Sequence, residues 1–221
     1  MKFPENIQNV AALLPDYLGF IFYEKSPRNF EGGIPNISEN IKKTGVFVDA
    51  SIDFIIKNVK QHGFKAIQLH GNESVEFCKT LKLEASKLPN PISLSKTDTV
   101  LNKIEIWKVF SIKDEFDFDT LKPYEGIVDY FLFDTKGKEK GGNGYVFDWR
   151  VLEGYSSTTP FILSGGIGLA EIDAIQTFLN KPESKYLYAI DVNSKFEDSP
   201  GLKNIENVKK LKKQIVPLLG E

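Results

Sequence analysis

The sequence predicts an α/β fold built from parallel βα units, and three observations carry that prediction. Short apolar runs, dense in β-branched and aromatic residues, recur along the chain. Segments with helical spacing of apolar residues lie between many of them. No low-complexity or linker-like stretch divides the 221 residues, so residues 1–221 are expected to form one domain.

The runs expected to be strands are Tyr17–Phe22, Gly45–Val48, Ala66–Leu69, Ile104–Phe110, Val128–Phe133, Phe161–Leu163 and Leu187–Asp191. Most are near-continuous rather than alternating, as expected of strands covered on both faces. The helices start before the first of them. Ile7, Val10, Ala11 and Leu14 recur at helical spacing behind Pro4, a residue suited to a first turn. Ile52, Ile55, Ile56 and Val59 repeat the pattern behind Ser51, a candidate N-cap. Ile172, Ile175 and Leu179 form a further stripe, and Ile205, Val208, Leu211 and Ile215 the last. Residues 84–103 read as a loop with a short helix or strand, and residues 111–127 carry no clear pattern.

The order is helix first, then seven strands. A closed barrel needs eight. Either the sheet is open, or a strand is missing from the front.

Composition narrows the function classes. Net charge is −2, which gives no pointer to nucleic acid or to a membrane surface. No apolar run approaches a membrane span, and the N-terminus has no hydrophobic signal core, so a cytoplasmic protein is expected. A single cysteine, Cys78, excludes an internal disulfide, and its helical spacing with Val75 and Leu81 suggests a packed thiol. Two histidines and one cysteine make a poor metal inventory, so no metal is expected.

Barrel chemistry sits in loops at the C-terminal ends of strands. There the sequence places Ser26-Pro27-Arg28, whose guanidinium can grip a carboxylate or phosphate or simply be solvated. His70 ends the third run, where it can meet a ligand or cap the next helix. Asp134 leaves the fifth run, either as an acid tuned by desolvation or as a cap for the loop that follows. That loop holds Gly137, Gly141, Gly142 and Gly144, which suit a mobile lid or an ordinary turn-rich loop. Ser164-Gly165-Gly166 and Asp191-Val192-Asn193-Ser194 end the last two runs, and small residues there leave backbone N–H groups for a phosphate.

Taken in order, these motifs resemble one family, phosphoribosylanthranilate isomerase of tryptophan biosynthesis. The resemblance runs through Leu18-Gly19-Phe20-Ile21-Phe22-Tyr23, Lys25-Ser26-Pro27-Arg28, Gly45-Val46-Phe47-Val48 and Gln68-Leu69-His70-Gly71. It continues in Phe133-Asp134, Gly141-Gly142-Asn143-Gly144, Phe147-Asp148-Trp149, Ser164-Gly165-Gly166, Asp191-Val192-Asn193-Ser194 and Ser199-Pro200-Gly201. It implies a TIM-type (β/α)8 barrel lacking its first β-strand. It also implies a cofactor-free Amadori rearrangement of a small phosphorylated substrate by a monomer or homodimer.

By the same resemblance, Asp134 is the general acid that opens the furanose ring, and Arg28 holds the anthranilate carboxylate. Gly165 and Gly166 bind the phosphate with Asn193 and Ser194 beside them. The Gly142 loop closes over the substrate, and Asp191 and His70 line the pocket. The family pattern opens with a strand reading Lys-Ile/Val-Cys-Gly-Met, whose cysteine is the general base. Here Met1 stands where that internal methionine would, so a start several residues upstream is expected. The alternatives are an inactive barrel that binds a phosphorylated ligand, and another sugar-phosphate isomerase or epimerase.

Overall fold

The computed structural model describes residues 1–88, 103–113, 115–135 and 146–219. Seven strands form one parallel sheet whose spatial order is their order in the chain: β1 (Tyr17–Phe22), β2 (Lys42–Phe47), β3 (Ala66–Leu69), β4 (Glu105–Ile112), β5 (Tyr130–Thr135), β6 (Phe161–Leu163) and β7 (Leu187–Ile190). Each pairs in parallel with the next. An open doubly wound sheet reverses its strand order at a switch point, whereas a barrel does not. The sheet curls until its first and last strands touch, the Tyr17 and Tyr188 hydroxyls lying 2.7 Å apart. Among the described residues no ladder joins β1 to β7. This is a TIM-barrel-type α/β fold, with seven parallel strands among the described residues.

Among the described residues five α-helices accompany the sheet: α1 (Pro4–Ala11), α2 (Ile52–His62), α3 (Val75–Ser86), α4 (Ile172–Leu179) and α5 (Ile205–Leu219). Pro4 sits in the first turn of α1, and Ser51 caps α2 by accepting the Phe54 N–H. Ile7, Ile55, Leu81 and Ile175 are fully buried. They join the large core between the helices and the outer face of the sheet. A smaller core of Ala66, Trp107, Val109, Leu132 and Ile162 fills the barrel interior. Among the described residues no helix is long and apolar enough to cross a membrane.

Several expected boundaries move. Leu14 leaves the α1 stripe because the helix ends at Ala11, and it stands exposed with a positive φ of 52°. β2 begins three residues early, at Lys42, because that side chain finds polar partners, the Glu105 carboxylate at 2.7 Å and the Tyr17 hydroxyl at 3.0 Å. β5 runs from Tyr130 to Thr135, two residues later than expected, because Val128 closes a turn onto the Tyr124 carbonyl. The unclear segment after β4 contains a 3-10 helix, Phe118–Tyr124. Most of the uncertain 84–103 segment lies outside the described residues, although α3 accounts for its start. After β7 come two short antiparallel strands that the apolar pattern does not reveal, β8 (Glu197–Ser199) and β9 (Leu202–Lys203).

Candidate functional site

Side chains alternate along a strand, so Leu132 and Asp134 of β5 share one face. Leu132 belongs to the interior core, which places Asp134 above it, at the C-terminal end of the barrel. Asp134 is the penultimate residue of the strand and is buried, rather than lying beyond the strand end. Its Oδ1 accepts the Thr135 N–H at 2.9 Å, and its Oδ2 lies 3.2 Å from His70 Nε2. His70 follows β3, and its Nδ1 is 3.0 Å from the Gln68 side-chain nitrogen. The capping role considered for His70 falls to Ser74, which accepts the Phe77 N–H at the start of α3.

Asp191 follows β7 and accepts the Ser164 hydroxyl at 2.7 Å. Burial pushes the Asp191 carboxyl up, the Ser164 hydroxyl opposes that, and the neighbouring Asp134 charge adds to it. Asp134, His70, Ser164 and Asp191 therefore form one polar patch over the apolar interior.

Gly165 is fixed by this patch. Its φ is +84°, and a Cβ there would lie 2.3 Å from the Thr135 nitrogen and 2.6 Å from Asp134 Oδ1. Only a residue without a side chain lets the loop after β6 pass so close to Asp134. Gly166 follows with a φ of +71°. Among the described residues the N–H groups of Gly165 and Gly166 meet no acceptor. Paired donors of this kind suit an anion.

Arg28 occupies a second cluster. The turn that carries it folds back on β1, with Phe30 N–H donating to the Ile21 carbonyl at 2.7 Å and Tyr23 N–H to Asn29 Oδ1 at 2.9 Å. Arg28 Nε and Nη2 both reach Glu197 Oε2 at 2.8 Å. The other Glu197 oxygen accepts from Lys203 Nζ at 2.9 Å and from Gly201 N–H at 3.1 Å. Lys203 Nζ also donates to Asn193, to its carbonyl at 3.0 Å and its side-chain oxygen at 2.5 Å. Burial alone would push the Glu197 carboxyl up, but Arg28 and Lys203 together hold it below the usual range. Burial lowers Lys203 and Glu197 opposes that.

The structure thus brings Asp134, His70, Asp191 and Gly165 together, and links Arg28 to Asn193 through two residues that motif reading passed over. Ser194 opens a one-turn 3-10 helix directly after Asn193. Gly142 and its loop lie outside the described residues. Glu197 and Lys203 flank Ser199-Pro200-Gly201, and the spacing Glu-x3-Gly-x-Lys was the available signal. Cys78 is fully buried on α3, and burial pushes its thiol up to about 11. A packed thiol is what its helical spacing suggested.

Comparison with known proteins covers almost all of the chain. A family model described as N-(5'phosphoribosyl)anthranilate (PRA) isomerase matches residues 2–98 and 90–214. An N-(5'-phosphoribosyl)anthranilate isomerase from Parabacteroides distasonis is 40% identical, over 98% of this chain and 90% of its own. The crystal structure of a phosphoribosyl anthranilate isomerase from Thermus thermophilus superposes with a TM-score of 0.76 at 19% identity, covering 99% of this chain and 96% of that one. A further phosphoribosyl anthranilate isomerase, solved with reduced 1-(o-carboxyphenylamino)-1-deoxyribulose 5-phosphate, gives 0.71 at 21% identity, over 98% and 95%.

Proposed function

The chain belongs to the N-(5'-phosphoribosyl)anthranilate isomerase family, and on that premise we propose that it converts N-(5-phosphoribosyl)anthranilate to 1-(o-carboxyphenylamino)-1-deoxyribulose 5-phosphate in tryptophan biosynthesis. The observation that carries the reading at the site is Asp134, buried above the barrel interior and 3.2 Å from His70.

Asp134 gives a proton to the furanose ring oxygen. The C1′–O bond breaks as the nitrogen lone pair forms the C1′=N Schiff base. Transfer of the C2′ proton to a general base, which the family pattern supplies as the cysteine ahead of this methionine, moves an electron pair toward nitrogen, and tautomerisation leaves a ketone at C2′. C2′ is oxidised as C1′ is reduced within one molecule, so the balance closes without a cofactor. His70 Nε2 stands where it can exchange a proton with Asp134. The amides of Gly165 and Gly166, with Asn193 and Ser194 beside them, receive the phosphate. Arg28 takes the anthranilate carboxylate through the part of its guanidinium not engaged by Glu197. The same reading places a monomer or homodimer in the cytoplasm.

The test is the loss of phosphoribosylanthranilate fluorescence. It is followed on this chain and on the same chain preceded by Lys-Val-Cys-Gly, the residues the family pattern carries ahead of this methionine. Substrate consumption by either folded form supports the reading. Consumption by neither overturns it, and turnover of ribulose 5-phosphate instead would assign a different sugar-phosphate reaction.

A further inference from the structure

The β8–β9 hairpin carries two ionisable side chains that the reaction scheme does not use. Glu197 and Lys203 are almost completely withdrawn from solvent, with side chains 4% and 9% exposed. Buried charges of this kind are tolerated only where their hydrogen-bonding capacity is met. Glu197 accepts on both oxygens, from Arg28 on one and from Lys203 and Gly201 on the other. Lys203 divides its donors between Glu197 and Asn193.

The hairpin is itself clamped to the body of the fold. Asn6 of α1 donates to the Lys203 carbonyl at 2.8 Å and accepts the Lys203 N–H at 2.8 Å. One continuous chain of contacts, Arg28–Glu197–Lys203–Asn193, therefore joins the loop after β1 to the loop after β7.

We propose that Glu197 and Lys203 are positioning residues, a strut that aims the Arg28 guanidinium at the substrate carboxylate and fixes Asn193 beside the phosphate. The inference rests on the functional reading above, in which Arg28 and Asn193 face those two groups. Its geometric core is the way Glu197 holds Arg28. Glu197 takes Nε and Nη2 through a single oxygen, and Nη1 has no acceptor among the described residues. An arginine fixed along one edge presents its remaining donors in one plane, which lowers the entropy lost on gripping a second carboxylate. The opposite role for Glu197, a competitor that must leave before substrate binds, requires the Nε contact to break on binding. The strut keeps it.

The experiment titrates the full chain with anthranilate and, separately, with inorganic phosphate by calorimetry, and follows the Arg28 Nε–H resonance by NMR. In the unsubstituted chain that resonance is expected to be protected from exchange, and to remain so when anthranilate is bound. Glu197→Gln should weaken anthranilate by roughly tenfold, the loss of one charged hydrogen bond, and leave phosphate nearly unchanged. Lys203→Met should weaken both ligands. If Glu197→Gln melts too low to titrate, the double variant Glu197→Gln/Lys203→Met removes both buried charges together. It should still lose Nε–H protection.

Release of the Nε–H to exchange when anthranilate binds would overturn the strut. So would anthranilate affinity that stays equal or improves in Glu197→Gln, or a protected Nε–H in the double variant. If the unsubstituted chain binds neither probe, the functional reading fails first.

Discussion

Asp134 Oδ2 and His70 Nε2 lie 3.2 Å apart while Gln68 holds the other nitrogen of the same ring at 3.0 Å. The imidazole thus has a partner at each ring nitrogen, which orients it toward the carboxyl. Replacing Asp134 by Asn keeps the shape and removes the transferable proton. That variant should lower kcat by on the order of 10²–10⁴-fold, the usual contribution of one positioned acid, without a matching fall in melting temperature. Fluorescence kinetics on whichever form of the chain turns over measures it. An unchanged kcat would take Asp134 out of the reaction.

Arg28→Lys tests the carboxylate site. Lysine keeps the charge but loses the planar fork that Glu197 grips through Nε and Nη2. The expected result is a KM raised by roughly tenfold or more with kcat little altered, since the contact is made equally in ground and transition states. A fall in kcat at constant KM would give Arg28 a role in the chemistry instead.

Much of this arrangement is legible in the sequence because strand ends in a parallel α/β fold are where chemistry collects. Asp134, His70, Asp191 and Gly165 each close an apolar run, and the structure places them in one patch. What the sequence conceals depends on contacts between distant residues. Glu197 and Lys203 flank the Ser199-Pro200-Gly201 motif, but their spacing does not reveal that Arg28, 169 positions before Glu197, closes over that carboxylate. β2 hides its first residues for the same reason: Lys42 looks like loop until Glu105 and Tyr17 are brought to it. Leu14 fails in the opposite sense. It fits the helical spacing, but the chain has already turned out of α1.

Gly165→Ala should be costly in a way that few single methyl groups are. The added Cβ meets the Thr135 nitrogen at 2.3 Å, backbone that cannot swing aside, and the φ of +84° is strained for any L side chain. A loss of about 1–3 kcal/mol in urea unfolding is expected from the backbone strain alone. Activity should fall further than stability, because the displaced neighbour includes Asp134 Oδ1 at 2.6 Å. Wild-type stability would show that the loop has room to shift.

Glu73 and Lys108 form a buried ion pair behind the site, 3.1 Å apart with side chains 2% and 4% exposed. Glu73 also accepts the Asp49 and Gly71 N–H groups, and Lys108 donates to the Gly71 carbonyl, so the pair ties the turn carrying His70 to β4. Glu73→Gln leaves Lys108 buried without its counter-charge, and breaking one partner of such a pair costs roughly 3–5 kcal/mol. Thermal and urea melts should show that loss. A near-neutral effect would mean water reaches Lys108.

Acid stability should separate Asp191, which follows β7, from Glu197, which opens β8, because the shifts of these two buried carboxyls have opposite signs. Burial works to raise Glu197, but Arg28 and Lys203 hold it below its ordinary 4.5. Its contribution is therefore fully present above that value and disappears as the pH falls through the lower folded one. Asp191 is raised above its ordinary 3.8, first by burial, so its ionisation opposes folding once the pH has risen through the folded value. Asp191→Asn should accordingly be more stable than the unsubstituted chain at pH 7 and lose that advantage in acid. Glu197→Gln should be less stable at pH 7, and its deficit should shrink in acid. Urea midpoints of the three proteins between neutral pH and the onset of acid unfolding measure both trends. Parallel curves would mean that neither carboxyl is held as the structure places it.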